Sequence, residues 1–320
     1  MRCCILYNQP RKDALPDELD ILDQAEWVES NLRKMNITTF RLGITSSFMN
    51  EIASLKNETF DFVFNLAESI ENKGELLYFI PAILNMHNIP YTGNPLEAMF
   101  LTTSKPLTAR ILTDAGISSP RTFLPSQFHS LVKGRKYIIK PSWEDGSMGI
   151  TPDSVFTWDD GMEKILQGKT DSHWMIQDFI DGSEYNVSVI AGPDGPEVLP
   201  LAEMTFVGFG PDRPKIVDYT AKWVHGSFEC ENTIREFPGD KMEPLLRKRI
   251  EKTALRCWEV FGLKGYARID MRVDENGEPF VIEINANPCI SEDGGFVAAT
   301  RAGGYEFTEI LQRIINDMNY

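Results

Sequence analysis

The sequence predicts an α/β protein whose last part is α+β. Three observations carry this expectation. Apolar runs at 3–7 and 60–66 alternate with segments of helical period, an order that builds a mostly parallel sheet. Two further apolar runs, 136–140 and 174–177, flank a glycine-containing loop at 142–149. A hairpin signal, Asn276-Gly277, then stands between two amphipathic helical segments.

The elements follow in chain order. Leu19, Leu22, Ala25 or Glu26, Val28, Leu32 and Met35 recur at helical spacing. Residues 76–84 read as a helix, which Ile89-Pro90-Tyr91-Thr92-Gly93 ends. The next helix starts at Ser104, with Pro106 in its first turn and Gly116 just past its end. A short helix is expected at 161–166, and Asp181-Gly182 closes the middle of the chain. Residues 185–191 and 198–206 read as strands. Residues 243–261 read as an amphipathic helix with Leu246, Ile250, Thr253, Cys257 and Phe261 on one face and Gly262 as its stop. A last helix runs over 306–318. These breaks divide the chain into three domains, 1–93, 94–182 and 183–320.

Composition narrows the function. The 320 residues carry a formal net charge of −15, which argues against a general nucleic-acid surface. No apolar stretch is long enough to span a membrane, and the polar residues from Asn8 come too early for a signal peptide. The five cysteines form no CxxC pair, so they read as packing residues of a reduced, cytoplasmic protein.

The segment 268–288 is the most informative. If Asn276-Gly277 is a two-residue type I′ loop, Asp270 pairs with Glu283 and Arg268 with Asn285. These four share one face of the hairpin, while Ile269, Met271 and Val273 meet Ile284, Ile282 and Phe280 on the other. Facing carboxylates lie with Cβ atoms roughly 5 Å apart and repel, so a cation belongs between them. Two carboxylates and an amide suit Mg²⁺, which keeps waters and phosphate oxygens as its other ligands. The alternative is a solvated face on which Arg268 neutralises both acids. Pro279 close to the turn leaves the register open.

Two lysines and a loop extend the pattern. Lys140 ends an apolar strand, and Gly146-Ser147-Met148-Gly149 follows within a few residues. Glycines let backbone N–H groups approach phosphate oxygens, and a lysine beside them adds a point charge. Each feature alone is common, and Lys105 reads equally as a surface helix residue. Residues 174–184 form a connector whose backbone could meet a base, with Glu184 available to ribose hydroxyls; an ordinary linker is the alternative.

Taken together, the chain resembles the ATP-grasp superfamily and most closely the D-alanine–D-alanine ligases. The resemblance rests on Ile89-Pro90-Tyr91-Thr92-Gly93, Lys105, Lys140-Pro141, Ser147-Met148-Gly149, Gly182-Ser183-Glu184, Asp218-Tyr219-Thr220-Ala221-Lys222, Arg268-Ile269-Asp270 and Glu283-Ile284-Asn285-Ala286-Asn287-Pro288, in the family's order. It implies a three-domain ATP-grasp fold with ATP between the central and C-terminal domains. Lys105 and Lys140 would hold phosphates beneath a lid of Ser147, Met148 and Gly149. Gln177, Asp178, Phe179 and Ile180 would meet the adenine and Glu184 the ribose. Lys222 would reach the γ-phosphate. Asp270, Glu283 and Asn285 would bind two Mg²⁺ ions, with Mn²⁺ as a substitute, and Arg268 would stabilise a charged tetrahedral species. The implied reaction is ATP-dependent amide ligation through an acyl phosphate, with amino-acid-like substrates. A homodimer is the expectation by analogy.

The sequence departs from the ligases where they bind amino acids. Tyr7-Asn8-Gln9-Pro10-Arg11-Lys12 replaces their glycine-rich loop, with Asp17, Glu18 and Asp20 soon after as candidate partners for a substrate ammonium. Ala67-Glu68 replaces a His-Gly pair, Gly294-Gly295 a Ser-Leu pair, and Gln177 an acidic residue. Two alternatives therefore remain open: a ligase of the same mechanism acting on another amino acid, peptide or amine, and an ATP-binding regulatory protein without turnover.

Overall fold

The computed structural model describes residues 1–144 and 146–319, apart from the side chain of Asp17. Asp145, in the predicted glycine loop, and Tyr320 lie outside the described residues. Three sheets occupy three successive stretches of chain.

The first sheet is parallel, in the order β2-β1-β3, from Arg2–Asn8 (β1), Thr38–Ile44 (β2) and Phe62–Asn65 (β3). The helix Pro16–Lys34 (α1) connects β1 to β2 and buries Ile21, Ala25, Val28 and Leu32. Leu19 and Leu22, placed on the apolar face from spacing, are exposed instead, because the buried stripe is rotated toward Ile21. The strand β2 is unanticipated from sequence: it is an edge strand whose side chains are mostly exposed or half-buried, so it lacks a strong apolar run. The predicted 76–84 helix begins and ends later, at Phe79–Met86 (α2), after a 3₁₀ turn.

The second sheet is antiparallel, in the order β4-β7-β5-β6, from Thr122–Phe123 (β4), Lys136–Pro141 (β5), Val155–Thr157 (β6) and Trp174–Asp178 (β7). It has a core of its own, built on Tyr137, Ile139, Phe156, Trp158 and Ile176. The helix expected at 161–166 is a 3₁₀ turn, Met162–Leu166, entered through Gly161. Leu96–Thr103 (α3), absent from the sequence reading, and Lys105–Asp114 (α4) precede this sheet and contact the hairpin strand of the third one.

The third sheet has Ser183–Ile190 (β8), Glu197–Val198 (β9), Ala202–Phe206 (β10), Thr233–Glu236 (β11), Tyr266–Val273 (β12) and Pro279–Asn285 (β13). Its order is β11-β10-β8-β12-β13, with β9 beside β8. The single strand expected at 198–206 is split in two around Pro200, which has no N–H for a ladder. The helix Pro244–Phe261 (α5) buries Ile250, Ala254, Cys257, Trp258 and Phe261. Gly295–Ala302 (α6) and Phe307–Asn316 (α7) complete the chain.

One apolar core runs from the first sheet through Tyr91, Met99 and Leu112 to Ile269 and Ile284 of the third. The central sheet keeps a separate core; the chain enters it from α4 and leaves it through the connector after β7. Among the described residues no helix is long and apolar enough to cross a membrane.

Candidate functional site: a cleft floored by the β8, β12 and β13 face

The floor of the site is set by register. Across β8, β12 and β13, Asp270 lies opposite both Asn186 and Glu283, Arg268 opposite Ser188 and Asn285, and Arg272 opposite Glu184. The predicted carboxylate pair is therefore present, but not through the predicted turn. The loop has three residues, with Asp274 N–H bonded to Glu278 O and Gly277 at φ 73°, a left-handed value that favours glycine. This alone would shift every pair by one. A β-bulge between Asp270 and Met271 absorbs the shift by leaving Ile282 as the extra residue. Beyond the bulge Met271 pairs with Val281 and Val273 with Pro279, so Val281 takes the core position expected for Ile282.

Each carboxylate meets its own cation. Arg268 donates to both oxygens of Asp270 at 2.8 Å, and Asn186 Nδ2 to Asp270 Oδ1 at 2.9 Å. Lys105 Nζ lies 3.1 Å from Glu283 Oε1 and donates to Glu144 O at 2.6 Å. Arg268 therefore offsets Asp270 directly. Lys140 Nζ donates to the carbonyl of the bulged Ile282 at 3.2 Å. Burial lowers the Lys140 pKa to about 8; Glu283 opposes the shift and Lys105 adds to it. Burial, then Arg268, also lowers the Lys222 pKa.

The donor set fits a hard cation. Asp270 and Glu283 face each other, and Asn285 Oδ1 lies one strand step beyond Glu283 while accepting from Asn287 N–H at 3.0 Å. Among the described residues no cluster of three His, Cys, Asp or Glu is arranged for a metal, so any ion here relies on the amide and on ligand oxygens.

These groups open on one cleft of about 1580 Å³. Lys140, Ser147, Met148, Gln177, Asp178, Phe179, Ile180, Glu184, Lys222, Arg268, Asp270, Glu283 and Asn285 all line it. Lys105 and Gly149 do not; Lys105 is buried behind Glu283. Ser147 Oγ donates to Val217 O at 2.7 Å, and Trp223 Nε1 donates to Gly146 O at 3.0 Å. The glycine loop is thereby tied across the cleft to the segment carrying Lys222.

The connector is more heavily engaged than its sequence suggests. Gln177 Nε2 donates to Thr122 Oγ1, and the Asp178 carboxylate accepts from Arg121 at 2.9 Å and Arg135 at 2.7 Å. Asp178 thus holds surface arginines of the central sheet. Phe179 N–H bonds to Lys136 O, and Ile180 O accepts from Arg272. Gly182 lies where no other residue fits: a Cβ there would meet Val273 O at 1.9 Å.

At the far end the cleft is lined by Glu18, Asp20, Glu68, Asp293, Arg235 and Gly294-Gly295. Glu18 caps α1 through Leu15 N–H. Asp20 accepts from the Cys289 thiol at 3.0 Å, and burial raises the pKa of both groups. The side chain of Asp17, the third candidate for a substrate ammonium, lies outside the described residues. Arg272, Asn186 and Arg235 are missing from the sequence reading. Strand alternation does signal Arg272, two residues past Asp270; nothing local signals Asn186 or Arg235.

Known proteins resemble this chain in sequence and in fold. A D-alanine–D-alanine ligase of Thermotoga petrophila is 28% identical over 299 residues, covering 92% of this chain and 91% of that protein. Two solved structures share the fold. One is the D-alanine–D-alanine ligase of Bacillus anthracis complexed with ATP (TM-score 0.73, 20% identity, 99% and 96% of the chains covered). The other is the VanG D-Ala:D-Ser ligase of Enterococcus faecalis (TM-score 0.75, 18% identity, 98% and 98% covered). Residues 129–316, which carry the hairpin and most of the cleft, match the D-ala D-ala ligase C-terminus family, and the chain belongs to that family.

Proposed function

We propose that this protein is an ATP-dependent carboxylate–amine ligase that forms an amide bond through an acyl phosphate. The observation that carries the reading is the in-register pair Asp270 and Glu283, with Asn285, Arg268 and Lys140 on the same cleft and Lys105 behind Glu283. The proposal includes the domain division 1–93, 94–182 and 183–320, with ATP between the last two.

Each residue has a role in the two steps. Lys140 and Lys222 draw the triphosphate in and offset its charge, and Lys105 adds positive charge from behind Glu283. Glu184 accepts from the ribose hydroxyls. Asp270, Glu283 and Asn285 would hold Mg²⁺, two ions with Mn²⁺ as a substitute, and the metal would supply polarisation of the phosphoryl oxygens. A substrate carboxylate attacks the γ-phosphorus, and ADP leaves. An amine then attacks the acyl carbon, and phosphate leaves. Arg268 supplies fixed donors where the oxyanion develops. The loop at Ser147, bonded to Val217, keeps water from the acyl phosphate.

D-Alanine is the default substrate by kinship. A different amino acid, peptide or amine is favoured by the far end of the cleft, where Asp20, Glu68 and Asp293 stand beside Arg235 and Gly294-Gly295. Phosphate release from Mg-ATP across D- and L-amino acids and amines tests both. ATP binding without turnover under any acceptor would favour a regulatory protein instead.

A further inference from the structure

Arg272 is heavily committed where it meets the cleft. It is 4% exposed. Its Nη1 donates to Glu184 Oε2 at 2.9 Å and to Lys215 O at 2.9 Å. Its Nε donates to Ile180 O at 2.6 Å, and its Nη2 to Gly182 O at 2.8 Å. The Phe179 ring lies 5.0 Å from the guanidinium carbon. One planar fork therefore joins the connector at Ile180 and Gly182, the strand β8 at Glu184, and the chain leading to Lys222. Lysine could not reproduce four donor contacts in fixed directions.

We propose that Arg272 is a positioning residue for the nucleotide's sugar: it holds the Glu184 carboxylate where it accepts from the ribose hydroxyls. The inference rests on the nucleotide reading above. Among the described residues only Oε2 of Glu184 receives a hydrogen bond, and that bond comes from Arg272. This orientation leaves Oε1 for a ligand in the cleft that Glu184 lines. A buried carboxylate without its partner would turn or take up a proton, and in either case lose its fixed acceptor geometry.

The test is calorimetric binding of Mg-ADP, Mg-2′-deoxyADP and Mg-3′-deoxyADP to the full chain and to R272M, R272K and E184Q. Inorganic tripolyphosphate serves as a probe of the phosphate side. The wild type is expected to prefer ADP over the weaker deoxy analogue by ~10-fold or more, the worth of hydrogen bonds to a charged acceptor. R272M and E184Q are expected to lose that preference to within about 2-fold, both keeping wild-type tripolyphosphate affinity. R272K, which keeps the charge without the fork, is expected to retain only part of it. If R272M fails to fold, R272K and E184Q decide: wild-type preference in either overturns the proposal, as it would in R272M. A wild type that binds ADP without preferring the ribose overturns this proposal and leaves the ligase reading standing. A wild type that binds no ADP overturns the nucleotide reading and this proposal with it.

Discussion

Asp270 and Glu283 stand directly opposite each other on β12 and β13, and each already holds its own cation: Arg268 at 2.8 Å from Asp270 and Lys105 at 3.1 Å from Glu283. The two cations occupy oxygens that an Mg²⁺ ion would use, so metal binding competes with these contacts.

That competition makes Arg268→Met informative. Removing the guanidinium leaves Asp270 with only the Asn186 hydrogen bond among the described residues. Mg²⁺ should then raise the unfolding midpoint of the variant more than that of the wild type, since binding to the folded state alone stabilises it. ATP turnover should fall by about 100-fold or more through loss of oxyanion donors. An equal Mg²⁺ shift in both proteins would show that Arg268 and the metal do not share Asp270.

Lys140 gives a pH signature. Its pKa lies near 8 instead of 10.5, so between those values the folded chain holds fewer protons than the unfolded one. Its contribution to stability therefore rises with pH across that window and is lost as pH falls through about 8. A bound polyphosphate favours the ammonium. Nucleotide binding at pH 9 should take up a proton that binding at pH 7 does not, read by calorimetry in two buffers of different ionisation enthalpy. Uptake unchanged in Lys140→Met would contradict the assignment.

Gly182→Ala places a Cβ 1.9 Å from Val273 O at a φ of 154°. The connector or the hairpin end must move, and the expected cost is about 3 kcal/mol in denaturant unfolding. A loss below about 1 kcal/mol would mean that the connector yields easily.

Cys289 sits in the cleft with its thiol donating to Asp20 and its sulfur 2.9 Å from Ser291 Oγ. Burial raises its pKa far above the thiol range, so it is no nucleophile. Cys289→Ser keeps a donor for Asp20 and should retain turnover within about 10-fold, the scale of one altered hydrogen bond. A loss beyond about 100-fold would give the sulfur a role in the chemistry.

The site was legible where residue type and strand period act together. Arg268, Asp270, Glu283 and Asn285 could be assigned to one face because alternation is local. Their register came out right through two offsetting features, a longer turn and a bulge at Ile282, and neither is visible in the letters. The connector was legible as a break at Gly182, but not the grip of Arg272 upon it, which depends on β8 and β12 meeting across 88 residues. Likewise β2 and α3 carry weak local signals: one is a weakly apolar edge strand, and the other follows Pro95 without a side-chain cap. Arg235 reaches the far end of the cleft only through the order of the third sheet.

The most direct test of the central claim is phosphate release from Mg-ATP across a panel of D- and L-amino acids and amines, singly and paired, with Asp270→Asn as control. The account predicts acceptor-dependent release in the wild type and its loss in the control. Release that persists in Asp270→Asn, or a wild type that binds ATP yet releases no phosphate with any member of the panel, would contradict it.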